Sequence, residues 1–86
     1  MKDYQIEFEH YLLDTKGVSK NTFESYTRDI GQFIHYLEVC GYDSLESVDN
    51  TVVNGYIDYC IKSGRSNSTI TRITASVRCY FQFLNK

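Results

Sequence analysis

Apolar residues recur along the chain with helical spacing, and nowhere do they show the strict alternation of a half-buried strand. Phe8, Tyr11 and Leu12 form an i, i+3, i+4 stripe among Glu7, Glu9 and Asp14. This predicts a first helix from about Asp3 to Thr15, stopped at Lys16-Gly17-Val18 by a glycine that can turn left-handed. Phe23, Tyr26, Ile30, Phe33, Ile34 and Leu37 carry the pattern through a second helix, capped by Ser19 and running to about Val39. Gly41 closes it, and residues 42–48 read as a loop whose Leu45 and Val48 tuck under the core. A third helix spans about Asn50 to Ser63, capped by Asp49 or Asn50, with Val53, Tyr56, Ile57, Cys60 and Ile61 inward. The fourth opens at Ser66 and carries Ile70, Ile73, Val77, Tyr80, Phe81 and Leu84 on one face.

The second and fourth helices repeat one another. Gly17-Val18-Ser19-Lys20-Asn21-Thr22-Phe23 and Gly64-Arg65-Ser66-Asn67-Ser68-Thr69-Ile70 share the form G-x-S-x-x-T-apolar, and the apolar positions after them coincide in turn. In each, the glycine suits the end of the preceding helix, and the serine hydroxyl can accept from an orphan amide of the next one. Two helix–Gly–x–Ser–helix hairpins follow, giving an all-α, four-helix chain. If consecutive helices run antiparallel, the second and fourth begin at the same end of the bundle.

Composition agrees with this picture. Eighty-six residues form one small domain, and 42% apolar content with eight Tyr, five Phe and no Pro suffices for a single core. Cys40, Cys60 and Cys79 stand alone, without a CxxC or a zinc-spaced partner in His10 or His35. They read as reduced thiols of a cytoplasmic protein. No apolar run approaches the roughly 20 residues of a membrane span, so no membrane partner is expected.

The net charge of −2 hides a strong asymmetry. All 11 acids lie before residue 60, whereas Lys62, Arg65, Arg72, Arg78 and Lys86 follow it with no acid among them. A polyanion responds to the local field rather than to the total.

If the two helix starts share an end, free amides and positive dipole ends lie together there and attract phosphate oxygens. Around them stand Lys20, Asn21, Thr22, Ser25 and Arg28 from the second helix, and Arg65, Ser66, Asn67, Ser68, Thr69 and Arg72 from the fourth. These side-chain types contact phosphates and base edges. In projection, Asn21, Ser25, Arg28 and Gln32 lie opposite the apolar stripe of the second helix, and Ser68, Arg72, Ala75 and Cys79 opposite that of the fourth.

Several of these residues also have purely structural readings. Ser19 and Ser66 are caps first, Thr22 and Thr69 can satisfy local backbone, and Arg28 can pair with Glu24 as Asp58 can with Lys62. Arg72 has no carboxylate three or four residues away, which favours a ligand contact. The tyrosines belong to the core and its edges. No glycine-rich phosphate loop, paired-carboxylate metal site or nucleophile–base set stands out, so neither cofactor nor metal is expected and the chain by itself is read as non-enzymatic.

The run Gly17 to Thr22, with Tyr26-Thr27-Arg28-Asp29-Ile30 and Phe33, resembles the start of the core-binding domain of tyrosine recombinases, the phage-integrase and Xer-like enzymes. Gly64 to Arg72, and on through Ala75 to Leu84, is similar to that domain's closing helix. The resemblance covers essentially the whole chain, as one domain over residues 1–86. It implies a SAM-like bundle that forms half of a clamp on double-stranded DNA at a recombination core site, with its second and fourth helices against the major groove. It further implies a catalytic domain elsewhere in the parent chain, carrying the nucleophilic tyrosine, and a recombinase tetramer on DNA. A helical protein–protein interaction module is the alternative reading of the same surface. A helix-turn-helix repressor fragment fits less well, because no short recognition hairpin stands apart.

Overall fold

The computed structural model describes residues 4–85. Among these residues are four α-helices: α1 (Gln5–His10), α2 (Lys20–Val39), α3 (Asn50–Lys62) and α4 (Asn67–Leu84). No strand occurs among the described residues. The expected start of the first helix at Asp3 lies outside them.

α1 continues directly into a wider π-helical segment, Tyr11–Lys16. There the Leu12 carbonyl accepts from the amides of both Gly17 and Val18. The widened turn buries Tyr11 and Leu12 side by side and leaves Leu13 outside. Gly17 ends the segment at φ +60°, as its place after the stripe requires.

The two serine caps are near-copies. Ser19 (φ −67°, ψ 162°) accepts from the Thr22 amide at 3.2 Å, and Ser66 (φ −68°, ψ 159°) from the Thr69 amide at 3.3 Å. In each, the serine hydroxyl also donates to the threonine Oγ1, at 3.1 and 3.0 Å. Asp49 caps α3 through the Val52 amide at 3.1 Å.

Packing follows the predicted stripes. Phe33 of α2 lies with its ring centroid 5.0 Å from Tyr56 of α3 and 6.1 Å from Phe81 of α4. Phe8 meets Tyr80 edge-on at 5.1 Å, and Tyr11 meets Phe83 at 5.2 Å, which seats α1 on the second half of α4. Burying each such ring contributes roughly 1.5–3 kcal/mol, so these aromatic contacts carry much of the core. Leu45 and Val48 pack against it from the loop, as expected.

Two assignments, one inward and one outward, are corrected. Ile61 is 53% exposed, because the face of α3 that meets α2 and α4 carries Tyr56 and Cys60 and turns Ile61 outward. Cys79, expected opposite the apolar stripe, is buried at 8%. Its thiol is pushed above its ordinary value by burial, with Lys16 acting the other way.

The relation between α2 and α4 also differs from the expected one. Asp29 near the middle of α2 bonds Ser76 near the middle of α4, and the start of α4 is tied at Arg65 to Gln32. Gln32 lies about 18 Å along α2 from Lys20 at 1.5 Å per residue. The two helices therefore cross at their middles, and the start of α4 lies against the flank of α2 rather than beside its tip. Phe33 of α2 lies 6.1 Å from Phe81 of α4, centroid to centroid, so aromatic rings pack between the two helices.

Candidate nucleic-acid interface

On α2 the polar row runs along one face: Asn21 exposed, Ser25 half-buried, Arg28 and Gln32 exposed. Spacings of four, three and four residues keep them in line. Gln32 accepts from Arg65 Nη1 at 3.1 Å, so the row continues across the α3–α4 turn onto the start of α4. There Ser66, Asn67 and Ser68 are exposed, with Thr69 and Arg72 half-buried and Ala75 exposed further along. Lys20 stands exposed at the first position of α2. The sequence-selected residues thus lie on the two crossing helices as a bent strip, not around a common tip.

Their individual states differ. Thr22 and Thr69 have hydroxyls and amides engaged with the caps. Asp58 and Lys62 form the expected surface pair at 3.0 Å. Arg28 makes no ion pair with Glu24 or any other carboxylate among the described residues. Instead it lines a cleft of about 640 Å³ with Gln32, His35, Tyr36, Tyr59 and Arg65, and no carboxylate lines that cleft. The Tyr36 ring lies tilted against its neighbours, 4.9 Å from Tyr56 and 5.2 Å from Tyr59. Burial, helped by hydrogen bonds with Cys40 and Cys60, raises the phenols of Tyr36 and Tyr56 above their ordinary value. Both stay protonated near neutrality, as neutral donors.

Arg72 is the main surprise. Its expected lack of a carboxylate partner is overturned by Asp29, which comes from the other helix and 43 positions away. Nε and Nη2 of Arg72 donate to the two oxygens of Asp29, each at 3.0 Å, and Ser76 Oγ donates to Asp29 Oδ2 at 2.8 Å. Asp29 is 1% exposed, whereas the Arg72 side chain is 37% exposed. The hydrogen bonds to Asp29 hold the guanidinium above its ordinary value, against the opposing pull of burial. Sequence reasoning missed Asp29 because an acid on a helix is usually solvated. The signal was its place in the repeat: Asp29 and Ser76 are equivalent positions, each directly before a buried residue of the stripe.

A second, larger cleft of about 1120 Å³ lies between α3 and the later part of α4. Val53, Ile57, Phe81 and Leu84 line it, together with Glu46, Asp49 and Arg78. Those two carboxylates set it apart from the acid-free cleft as a place for an anion. Among the described residues no cluster of three or more His, Cys, Asp or Glu is placed to hold a metal ion. No described helix is long and apolar enough to cross a membrane.

The model of the phage integrase N-terminal SAM-like domain matches residues 6–86. The chain belongs to that family. As a member of it, this integrase-type domain is similar to a candidate tyrosine recombinase of Caldanaerobacter subterraneus subsp. tengcongensis, 36% identical over 91% of the chain and 27% of that protein. It is also similar to the tyrosine recombinases XerD of Listeria innocua and Oceanobacillus iheyensis. Each of those is 33% identical over 98% of the chain and 29% of the relative. The domain therefore spans well under a third of the curated relatives it matches. No solved structure matches it significantly.

Proposed function

We propose that this domain binds double-stranded DNA in a sequence-dependent way and acts as the core-binding half of a clamp in a cytoplasmic tyrosine recombinase. The polar faces of α2 and α4 lie against the duplex. Lys20, Arg28 and Arg65 neutralise phosphates, and the exposed amides at the starts of α2 and α4, framed by Ser66, Thr22 and Thr69, take further phosphate oxygens. Asn21, Ser25, Asn67, Ser68 and Arg72 face base edges. Strand cleavage and exchange through a phosphotyrosyl link fall to a catalytic domain of the parent chain, within a tetramer on the recombination site. The domain contributes placement and no bond-making group.

The observation that supports this reading best is the acid-free cleft. In a chain whose acids outnumber its cations, the cleft joining Arg28, Gln32 and Arg65 has no carboxylate, and Arg28 is left without an ionic partner among the described residues. The test is selection from a randomised duplex pool, followed by titration of selected and scrambled duplexes between 50 and 200 mM salt. Affinity should fall log-linearly with salt, and Lys20→Ala should flatten that slope by about 0.9 on both duplexes. Absence of enrichment overturns the DNA reading, and salt-insensitive capture of a protein would replace it with the protein-docking one.

A further inference from the structure

Asp29 is a buried carboxylate at the point where α2 and α4 cross, and it faces donors on every side that α4 presents. Arg72 supplies two N–H groups and Ser76 a hydroxyl. The bidentate pair uses Nε and one hydrogen of Nη2. A guanidinium has five N–H donors in a fixed plane, so the opposite fork, one hydrogen from each Nη, stays open. The Arg72 side chain is 37% exposed over a carboxylate that is 1% exposed, so solvent reaches the pair from the arginine's side. Ser25 and Arg28 flank it from α2, one turn before and directly beside Asp29, and Ser68 flanks it from α4, one turn before Arg72.

The pairing changes what Arg72 can recognise. With Asp29 beneath it the pair carries no net charge, so its attraction for a phosphate is small and a phosphate brought close meets the carboxylate's repulsion. A neutral edge with two adjacent acceptors meets no such penalty and fits the open fork. The N7 and O6 of guanine are such an edge. We propose that Arg72 reads a guanine through its outer fork, and that Asp29, seconded by Ser76, is a specificity-determining positioning residue that fixes the plane and cancels the charge. The proposal rests on the DNA-binding reading. It adds to it that one of the cations on the strip is tuned against the backbone and toward a base.

The experiment uses the full chain and a duplex selected from a randomised pool, with guanines replaced one at a time by 7-deazaguanine, which lacks the N7 acceptor. Wild type should lose about tenfold in affinity at one guanine, and Arg72→Met, which keeps the length of the side chain without any donor, should be indifferent to that replacement. Asp29→Asn frees the charge of Arg72. It should bind a scrambled duplex more tightly, steepen the salt slope by up to about 0.9, and reduce the preference for the selected duplex about tenfold. A purely structural Asp29 gives a different result: Asp29→Asn weakens both duplexes in proportion and leaves slope and preference unchanged, which overturns the proposal. If Asp29→Asn does not fold, Arg72→Met decides alone, and retained sensitivity to 7-deazaguanine in that variant refutes the assignment. Failure of wild type to enrich any duplex removes the DNA reading itself and the proposal with it. Enrichment with no guanine sensitive to replacement removes only the proposal.

Discussion

The two hairpin tips, one at Ser19 and one at Ser66, are the same piece of local structure set in different surroundings. Glycine in the left-handed region, serine cap and threonine partner superpose in kind, with matching dihedrals and hydrogen bonds. The copies differ where a side chain has to meet something non-local. Ser25 on α2 has Arg72 as its counterpart on α4, and Asp29 has Ser76. The shared residues build two helices of similar length, and the unshared ones join those helices into one ion pair. Repetition supplies the scaffold, and its departures carry the chemistry.

The largest test of that contrast lies in the shared part. Phe33 and Tyr80 are counterparts in the core, and both are fully buried. Phe33→Ala should cost about 3–5 kcal/mol in urea unfolding followed by circular dichroism. A loss below 1 kcal/mol would mean that the aromatic core is not the common foundation. Next is the unshared pair. Arg72→Ala leaves Asp29 buried without its ionic partner and should cost roughly 2–3 kcal/mol, below the range for a fully buried pair because Arg72 is partly solvated. Ser25→Ala, the same replacement at the equivalent site, should stay within about 0.5 kcal/mol.

The caps sharpen the comparison further. Ser19→Ala and Ser66→Ala should each cost about 1 kcal/mol, and equally. A difference greater than that would show that the tips are not energetic copies. Alkaline pH gives a subtler readout. The folded chain holds protons on Cys79, Tyr36 and Tyr56 that the unfolded chain releases at their ordinary values of 9.0 and 10.0. Stability is therefore full below pH 9 and falls as pH rises through 9–10 and above, because the unfolded state binds fewer protons there. Tyr56→Phe should flatten that decline. The smallest effect belongs to Glu24→Gln, which should leave stability unchanged within about 0.5 kcal/mol, since Glu24 does not pair with Arg28.

Local rules were legible in the sequence. Helix bounds at Lys20, Val39, Asn50 and Asn67, three glycine stops and all three caps follow from spacing and hydrogen-bonding chemistry within a few residues. What depended on direction in space was not legible. Antiparallel reasoning placed the starts of α2 and α4 together, whereas the contacts of Arg65 with Gln32 and of Asp29 with Ser76 lay the start of α4 against the flank of α2. Ile61 and Cys79 sit near the borders of their apolar stripes, where a modest rotation of the helix moves a residue across the boundary. The partner of Arg72 was hidden for the same reason, because contacts between equivalent positions of a repeat appear only once the copies are laid across one another. Family membership came through on the two hairpin motifs, since those are local.

The hydrogen bond between Arg65 and Gln32 has a mechanical meaning. Together with the Asp29 cluster it fastens α4 to α2 at two separate places, so neither helix can roll about its own axis without breaking a polar tie. On the DNA reading, the strip then behaves as a stiff template of preset curvature, and a duplex whose groove does not match it must deform or be refused.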